Sequence, residues 1–149
     1  MINFVILCGG YGTRFQDISK KIPKILIEIN HNLTMIDWLI NEYLPEKSRI
    51  IFATGHLHEK IYQYVNTKGY KKRISFSYEK EKLGTGGAII NASKMIDTDD
   101  FIVLNGDTIQ EIKISDFLLK SELNNNEVIN LGCTTAEIND SGKLLIEKN

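Results

Sequence analysis

The sequence predicts a three-layer α/β domain built on a mixed, largely parallel sheet. Short apolar runs of β type alternate four times with stretches of helical periodicity, the pattern that places helices on both faces of a sheet. The last two strand-like runs are joined by a four-residue polar turn, which predicts an antiparallel pair at the end of the chain. At 149 residues, with 42% apolar and 25% charged residues, the chain is sized and composed for one domain with a sizeable core.

Taken in order, Asn3–Cys8 reads as a buried strand closed by glycines. Met35–Leu44 has helical spacing, with Thr34 as its N-cap and Pro45 as its stop. Arg49–Ala53 is a strand, and His58–Val65 a helix ended by Gly69. Ile74–Tyr78 is the next strand and Gly87–Ile96 the next helix, opened by a glycine-rich turn. Phe101–Leu104 is a short, wholly apolar strand, followed by a helix over Ser115–Leu123. Val128–Ala136 and Lys143–Glu147 are the final strands, joined through Asn139-Asp-Ser-Gly142. A single domain spanning 1–149 is expected, without internal repeats or linkers.

The bulk numbers exclude several classes of function. A net charge of −1 supplies no global attraction to nucleic acid or to an anionic membrane, so neither is an expected partner. The longest apolar runs fall far short of a membrane span, and nothing near Met1 resembles a secretory signal. Cys8 and Cys133 both lie in apparent strands, which suits buried free thiols in a cytoplasmic protein better than a disulfide. His56 and His58 lack further clustered ligands and read as solvated imidazoles at a helix entry.

In a parallel sheet, ligands bind beyond the carboxyl ends of the strands, and the informative motifs fall there. Leu7-Cys-Gly-Gly-Tyr-Gly-Thr-Arg14 follows the first strand. Its glycines let the backbone approach a ligand, its N–H groups can cradle an anion, and Arg14 adds a planar cation suited to phosphate. The loop lacks the Gly-Lys-Ser/Thr triplet of a Walker A site. It matches the dinucleotide fingerprint at Gly10 and Gly12 but carries Phe15 where the third glycine belongs.

Pro23 stiffens the segment that carries Lys24, which suits a lysine reaching one phosphate, although a lysine cluster in a loop also reads as solvated surface. Asp107 ends the run Phe101-Ile-Val-Leu-Asn-Gly-Asp107 and can hold a divalent metal, or simply sit in an Asn-Gly-Asp turn. Leu83-Gly-Thr-Gly-Gly-Ala88 can approach a base or phosphate, with the Thr85 hydroxyl available. Glu79 can accept hydrogen bonds from the donor edge of a guanine, or be an exposed carboxylate at a strand end.

Together, Leu7-Cys-Gly-Gly-Tyr-Gly-Thr-Arg-Phe15, Pro23-Lys24, Glu79 with Leu83-Gly-Thr-Gly-Gly-Ala88, and Leu104-Asn-Gly-Asp107 closely resemble the sugar-1-phosphate nucleotidyltransferases. The Leu83–Ala88 spelling is most similar to the D-glycero-D-manno-heptose 1-phosphate and mannose-1-phosphate guanylyltransferases. The resemblance implies a Rossmann-like mixed sheet of the nucleotide-diphospho-sugar transferase type. It also implies transfer of a nucleotidyl group from a nucleoside triphosphate, GTP by this branch, to a sugar 1-phosphate.

On that resemblance Arg14, Lys24 and Asp107 are the catalytic residues, with Asp107 holding Mg²⁺. Leu7, Gly9, Gly10, Gly12, Thr13, Glu79, Gly84, Thr85 and Gly86 line the nucleotide. Departures stand at Cys8 for alanine, Phe15 for leucine, Ile25 for proline, and His31-Asn-Leu33 for Gly-Lys-Pro. The family usually continues beyond the segment matched by Leu145-Ile-Glu-Lys148, so a chain lacking its C-terminal acceptor-binding part is expected. Cytidylyl-, uridylyl- and thymidylyltransferases of the same fold, and a non-catalytic nucleotide-sugar binding module, are the alternatives. The sequence leaves room for a homo-oligomer.

Overall fold

Phe4, Val5 and Ile6 are fully buried in β1 (Ile2–Leu7), an inner strand of the main sheet in the computed structural model. The structure describes residues 1–10, 21–98, 100–109 and 112–120, with backbone only at 71, 72 and 120. Three further strands, β4 (Ser48–Thr54), β5 (Ile74–Tyr78) and β6 (Ile102–Asn105), complete the sheet in the order β5-β4-β1-β6. Each of its pairings is parallel. The expected strands over 128–136 and 143–147, and with them the antiparallel pair, lie outside the described residues.

The sheet is covered on both faces, and the alternation of side chains along its strands explains how. Phe4, Ile6, Ile50 and Phe52 point to one side, where they meet Ile36, Leu39 and Ile40 and then Ile61 and Val65. Ile61 and Val65 belong to α2 (His58–Thr67), whose buried residues recur four apart as an amphipathic helix requires. Val5, Ile51 and Ala53 point the other way, onto Ala88 and Ala92 of α3 (Gly84–Ser93). Small residues on α3 let it lie close to the sheet. The result is the three-layer arrangement expected from the sequence.

Two segments differ from their sequence reading. The helix expected over 35–44 is α1 (Met35–Trp38), which passes into a π-helical turn at Leu39–Tyr43. That wider turn closes with the Leu44 N–H donating to the Leu39 carbonyl at 2.9 Å. Thr34 caps α1 as expected, in a reciprocal box with Asp37. A small hairpin, β2 (Glu28–Asn30) and β3 (Leu33–Thr34), precedes α1 and was not expected. Asn32 makes its turn at φ 57°, a left-handed conformation that asparagine tolerates well. Gly69 ends α2 at φ 77°, where a residue without Cβ carries no steric cost.

The chain divides into two compact units, Met1–Ile114 and Ser115–Asn149. The described residues of the second are 115–120, within α4 (Ile114–Lys120). Among the described residues no helix is long and apolar enough to cross a membrane.

Candidate functional site

From β1 the chain moves outward through β4 to β5, then returns to place β6 on the other side of β1. Such a reversal opens a crevice at the carboxyl edge, beyond the ends of the inner strands. Four stretches leave the strands along that edge: Cys8-Gly-Gly10 after β1, Gly55 after β4, Glu79 after β5, and Gly106-Asp107 after β6.

Backbone contacts hold these stretches in place. The Cys8 N–H donates to the Ala53 carbonyl at 2.8 Å, and the Glu79 N–H to the Thr54 carbonyl at 2.8 Å. The Gly106 N–H donates to the Leu7 carbonyl at 3.0 Å. A methyl group on Gly106 would lie 3.0 Å from that Leu7 oxygen and 3.1 Å from Cys8 Sγ and Ile25 Cδ1, so glycine alone fits without displacement. Gly9 and Gly55 pack backbone to backbone: a methyl on Gly9 would sit 3.4 Å from the Gly55 nitrogen and 3.8 Å from a Glu79 carboxylate oxygen. Gly55 is thus a site-forming residue outside the motifs, and Gly106, named within the Asn-Gly-Asp turn, had no role of its own there. The available signal was a glycine directly after a strand-like run.

Lys24 reaches this edge from elsewhere in the chain. Pro23, at φ −56°, leads into a 3₁₀ turn over Lys24–Leu26, closed by the Leu26 N–H donating to the Pro23 carbonyl. Ile25, 2% exposed, plugs that turn into the core. The Lys24 ammonium then donates to Asp107 Oδ2 at 2.9 Å, between residues 83 positions apart. Two candidates assigned independently from sequence are brought together. Asp107 is exposed and offers a hard oxygen ligand. Among the described residues no group of three or more His, Cys, Asp and Glu side chains gathers as a metal cage. One carboxylate with the remaining ligands from phosphate and water is a normal Mg²⁺ arrangement, so Asp107 fits that ion.

Glu79 Oε2 accepts from the Leu83 N–H at 3.2 Å, just before α3 begins. Gly84, Thr85 and Gly86 form the first turn of α3 rather than a turn preceding it, and the helix starts at Gly84 instead of Gly87. A helix opening on two glycines and a threonine has poor helical propensity and reads as a loop. These residues are exposed and α3 has no side-chain cap hydrogen bond, which leaves its N-terminal end compatible with an anion. Leu7 is half-buried, with its carbonyl committed to Gly106. Gly12, Thr13 and Arg14 lie outside the described residues, as do Phe15 and Cys133.

Cys8 is a free thiol just beyond β1, half-buried, donating to the Ile6 carbonyl at 3.4 Å. Burial first, and the negative charge of Asp107 second, hold this thiol well above its ordinary pKa. His58 is not a solvated imidazole. Its Nδ1 shares a 2.8 Å hydrogen bond with Thr54 Oγ1, and its ring packs among Tyr62, Phe76 and Tyr78.

The chain matches the Nucleotidyl transferase family over residues 3–142. It is 37% identical over 126 residues to the D-glycero-alpha-D-manno-heptose 1-phosphate guanylyltransferase of Campylobacter jejuni, covering 83% of this chain and 54% of that protein. The enzyme of the same name from Aneurinibacillus thermoaerophilus is 34% identical over 107 residues, covering 70% of this chain and 46% of its own. Among solved structures, HddC from Yersinia pseudotuberculosis complexed with GMP-PN superposes with a TM-score of 0.69 at 37% identity. That alignment covers 82% of this chain and 55% of HddC. The chain therefore spans about half the length of the relatives it matches.

Proposed function

The chain belongs to the nucleotidyl transferase family, and from that premise we propose that its site serves transfer of a guanylyl group from GTP to a sugar 1-phosphate. The observation that carries this reading is the convergence of Lys24 and Asp107 at the carboxyl edge of the sheet, the edge from which Cys8-Gly-Gly10 leaves β1. Its relatives' names, heptose 1-phosphate guanylyltransferases, support the choice of substrates.

In the reaction, an oxygen of the sugar phosphate attacks the α-phosphorus of the triphosphate. The bond from that phosphorus to the bridging oxygen breaks, and pyrophosphate leaves. A phosphate monoester has its second pKa at about 6, so the nucleophile is already mostly dianionic at neutral pH and no general base is needed. The protein's task is then to align two polyanions and offset their charge.

Lys24 meets the incoming sugar phosphate from a backbone fixed by Pro23 and Ile25. Arg14 and the N–H groups of Gly9, Gly10, Gly12 and Thr13 hold the nucleotide phosphates. Glu79 accepts from the N–H donors of guanine, and Gly84, Thr85 and Gly86 flank the nucleotide at the start of α3. Mg²⁺ held by Asp107 would offset charge on the triphosphate oxygens. The setting is cytoplasmic nucleotide-sugar supply.

Pyrophosphate release, measured with each of the four ribonucleoside triphosphates, dTTP and a panel of hexose and heptose 1-phosphates, tests the proposal. Release with GTP and one sugar 1-phosphate is expected. Release with another triphosphate in its place moves the assignment to a different base. Nucleotide binding without any release makes the chain a binding module.

A further inference from the structure

Lys24 and Asp107 are assigned to different partners in the proposed reaction, yet here they hold each other. Asp107 Oδ2 accepts from the Lys24 ammonium at 2.9 Å, and the two side chains are 29% and 42% exposed. The other oxygen, Oδ1, lies 3.4 Å from the Thr108 hydroxyl. The ammonium therefore sits against the same carboxylate that a divalent cation would use. Mg²⁺ needs a carboxylate oxygen at about 2.0–2.1 Å, and an ammonium on that group both occupies a lone pair and repels the incoming charge.

The meeting is built by the backbone. Lys24 opens a turn pinned by Pro23 and the buried Ile25, and Asp107 follows a glycine whose N–H is bonded to Leu7. A purely structural role for the pair is the weaker explanation, because ion pairs this exposed contribute little to folding.

Resting on the reading of Asp107 as the metal-binding carboxylate, we propose that Lys24 is a cationic placeholder on that group. It keeps the affinity of Asp107 for a bare divalent ion low until a phosphate group offers the ammonium another partner. Metal and phosphate then favour each other's binding through the exchange of Lys24, and the coupling is reciprocal.

Mn²⁺ titration of the 149-residue chain without nucleotide, followed by the electron paramagnetic resonance signal of free Mn²⁺, tests this. Lys24→Gln is expected to bind Mn²⁺ about three- to tenfold more tightly than wild type, through loss of the competing pair and of charge repulsion. Lys24→Arg, which keeps the cation, stays near wild type, and Asp107→Asn loses the site. A merely structural lysine would leave the Lys24→Gln affinity unchanged or weaker, and that result, with binding lost in Asp107→Asn, overturns the placeholder alone. Wild-type Mn²⁺ binding by Asp107→Asn overturns the metal assignment and the placeholder together.

Discussion

The Lys24 ammonium lies 2.9 Å from the Asp107 carboxylate, joining a proline-stiffened turn to the end of β6 across 83 positions of sequence. Each residue alone reads as ordinary surface, a lysine in a loop and an aspartate in an Asn-Gly-Asp turn. Their meeting at the carboxyl edge of a parallel sheet is what the roles proposed for both rest on.

For Asp107, the expectation separates chemistry from folding. Asp107→Asn removes the Mg²⁺ dependence of GTP binding while shifting unfolding stability by less than about 1 kcal/mol, because the pair is partly exposed. Calorimetric titration with and without Mg²⁺, beside a thermal melt, checks both halves. An unchanged Mg²⁺ dependence contradicts the metal assignment.

Gly106 is tightly enclosed at the site. Gly106→Ala places a methyl 3.0 Å from the Leu7 carbonyl oxygen, a backbone atom already bonded to Gly106 itself. Separation of β6 from β1 by a few tenths of an ångström should cost about 1–3 kcal/mol. Denaturant unfolding of the variant reads this directly, and wild-type stability would show that the strands part freely.

Asp37 is 3% exposed and anchors the start of α1. It accepts from Tyr64 at 2.5 Å, from Tyr70 and the Thr34 hydroxyl at 2.9 Å, and from the Thr34 N–H at 3.2 Å. Burial pushes its carboxyl up, but the bonds from Tyr64, Thr34 and Tyr70 outweigh that and leave it below the ordinary value. With the folded pKa depressed, the unfolded state takes up the proton first. The stabilisation is complete above an unfolded value of about 3.9 and is lost as pH falls through the folded pKa. Asp37→Asn should cost about 2–4 kcal/mol at neutral pH and flatten the acid limb of the stability profile. Parallel acid limbs in variant and wild type contradict this account.

Cys8 combines a free thiol with a raised pKa. At neutral pH it should alkylate with iodoacetamide at least about tenfold more slowly in the folded chain than in urea, since the thiolate is the reactive form. Mass spectrometry of the Cys8 peptide follows the rate. Equal rates would mean that the thiol is neither buried nor affected by Asp107.

Much of this fold was legible because period and punctuation agreed. The strands near residues 3–8, 49–53, 74–78 and 101–104 were expected within a residue or two of their observed bounds. Thr34 and Gly69 worked as the cap and stop their chemistry suggested. The hairpin at 28–34 escaped because its strands are two and three residues long and β2 is exposed throughout, leaving no periodicity to detect. The start of α3 escaped because Gly84, Thr85 and Gly86 have poor helical propensity and look like a turn until the sheet-facing Ala88 and Ala92 fix the helix. His58 was misread because its partners, Thr54, Phe76 and Tyr78, gather only through strand pairing. At the site, Lys24 and Asp107 were named from sequence, but their contact depends on long-range topology. Gly55 and Gly106 each follow a strand-like run in the sequence, but the close contacts that require glycine there appear only once the strands are paired.

Calorimetric titration of the 149-residue chain with GTP in the presence of Mg²⁺ tests the central claim most directly. The account predicts one binding site, preference for GTP over ATP, CTP and UTP, and affinity lowered at least about tenfold by Glu79→Gln, whose amide cannot accept from both guanine donors. Absence of binding, or equal affinity for all four triphosphates in wild type and Glu79→Gln alike, would contradict it.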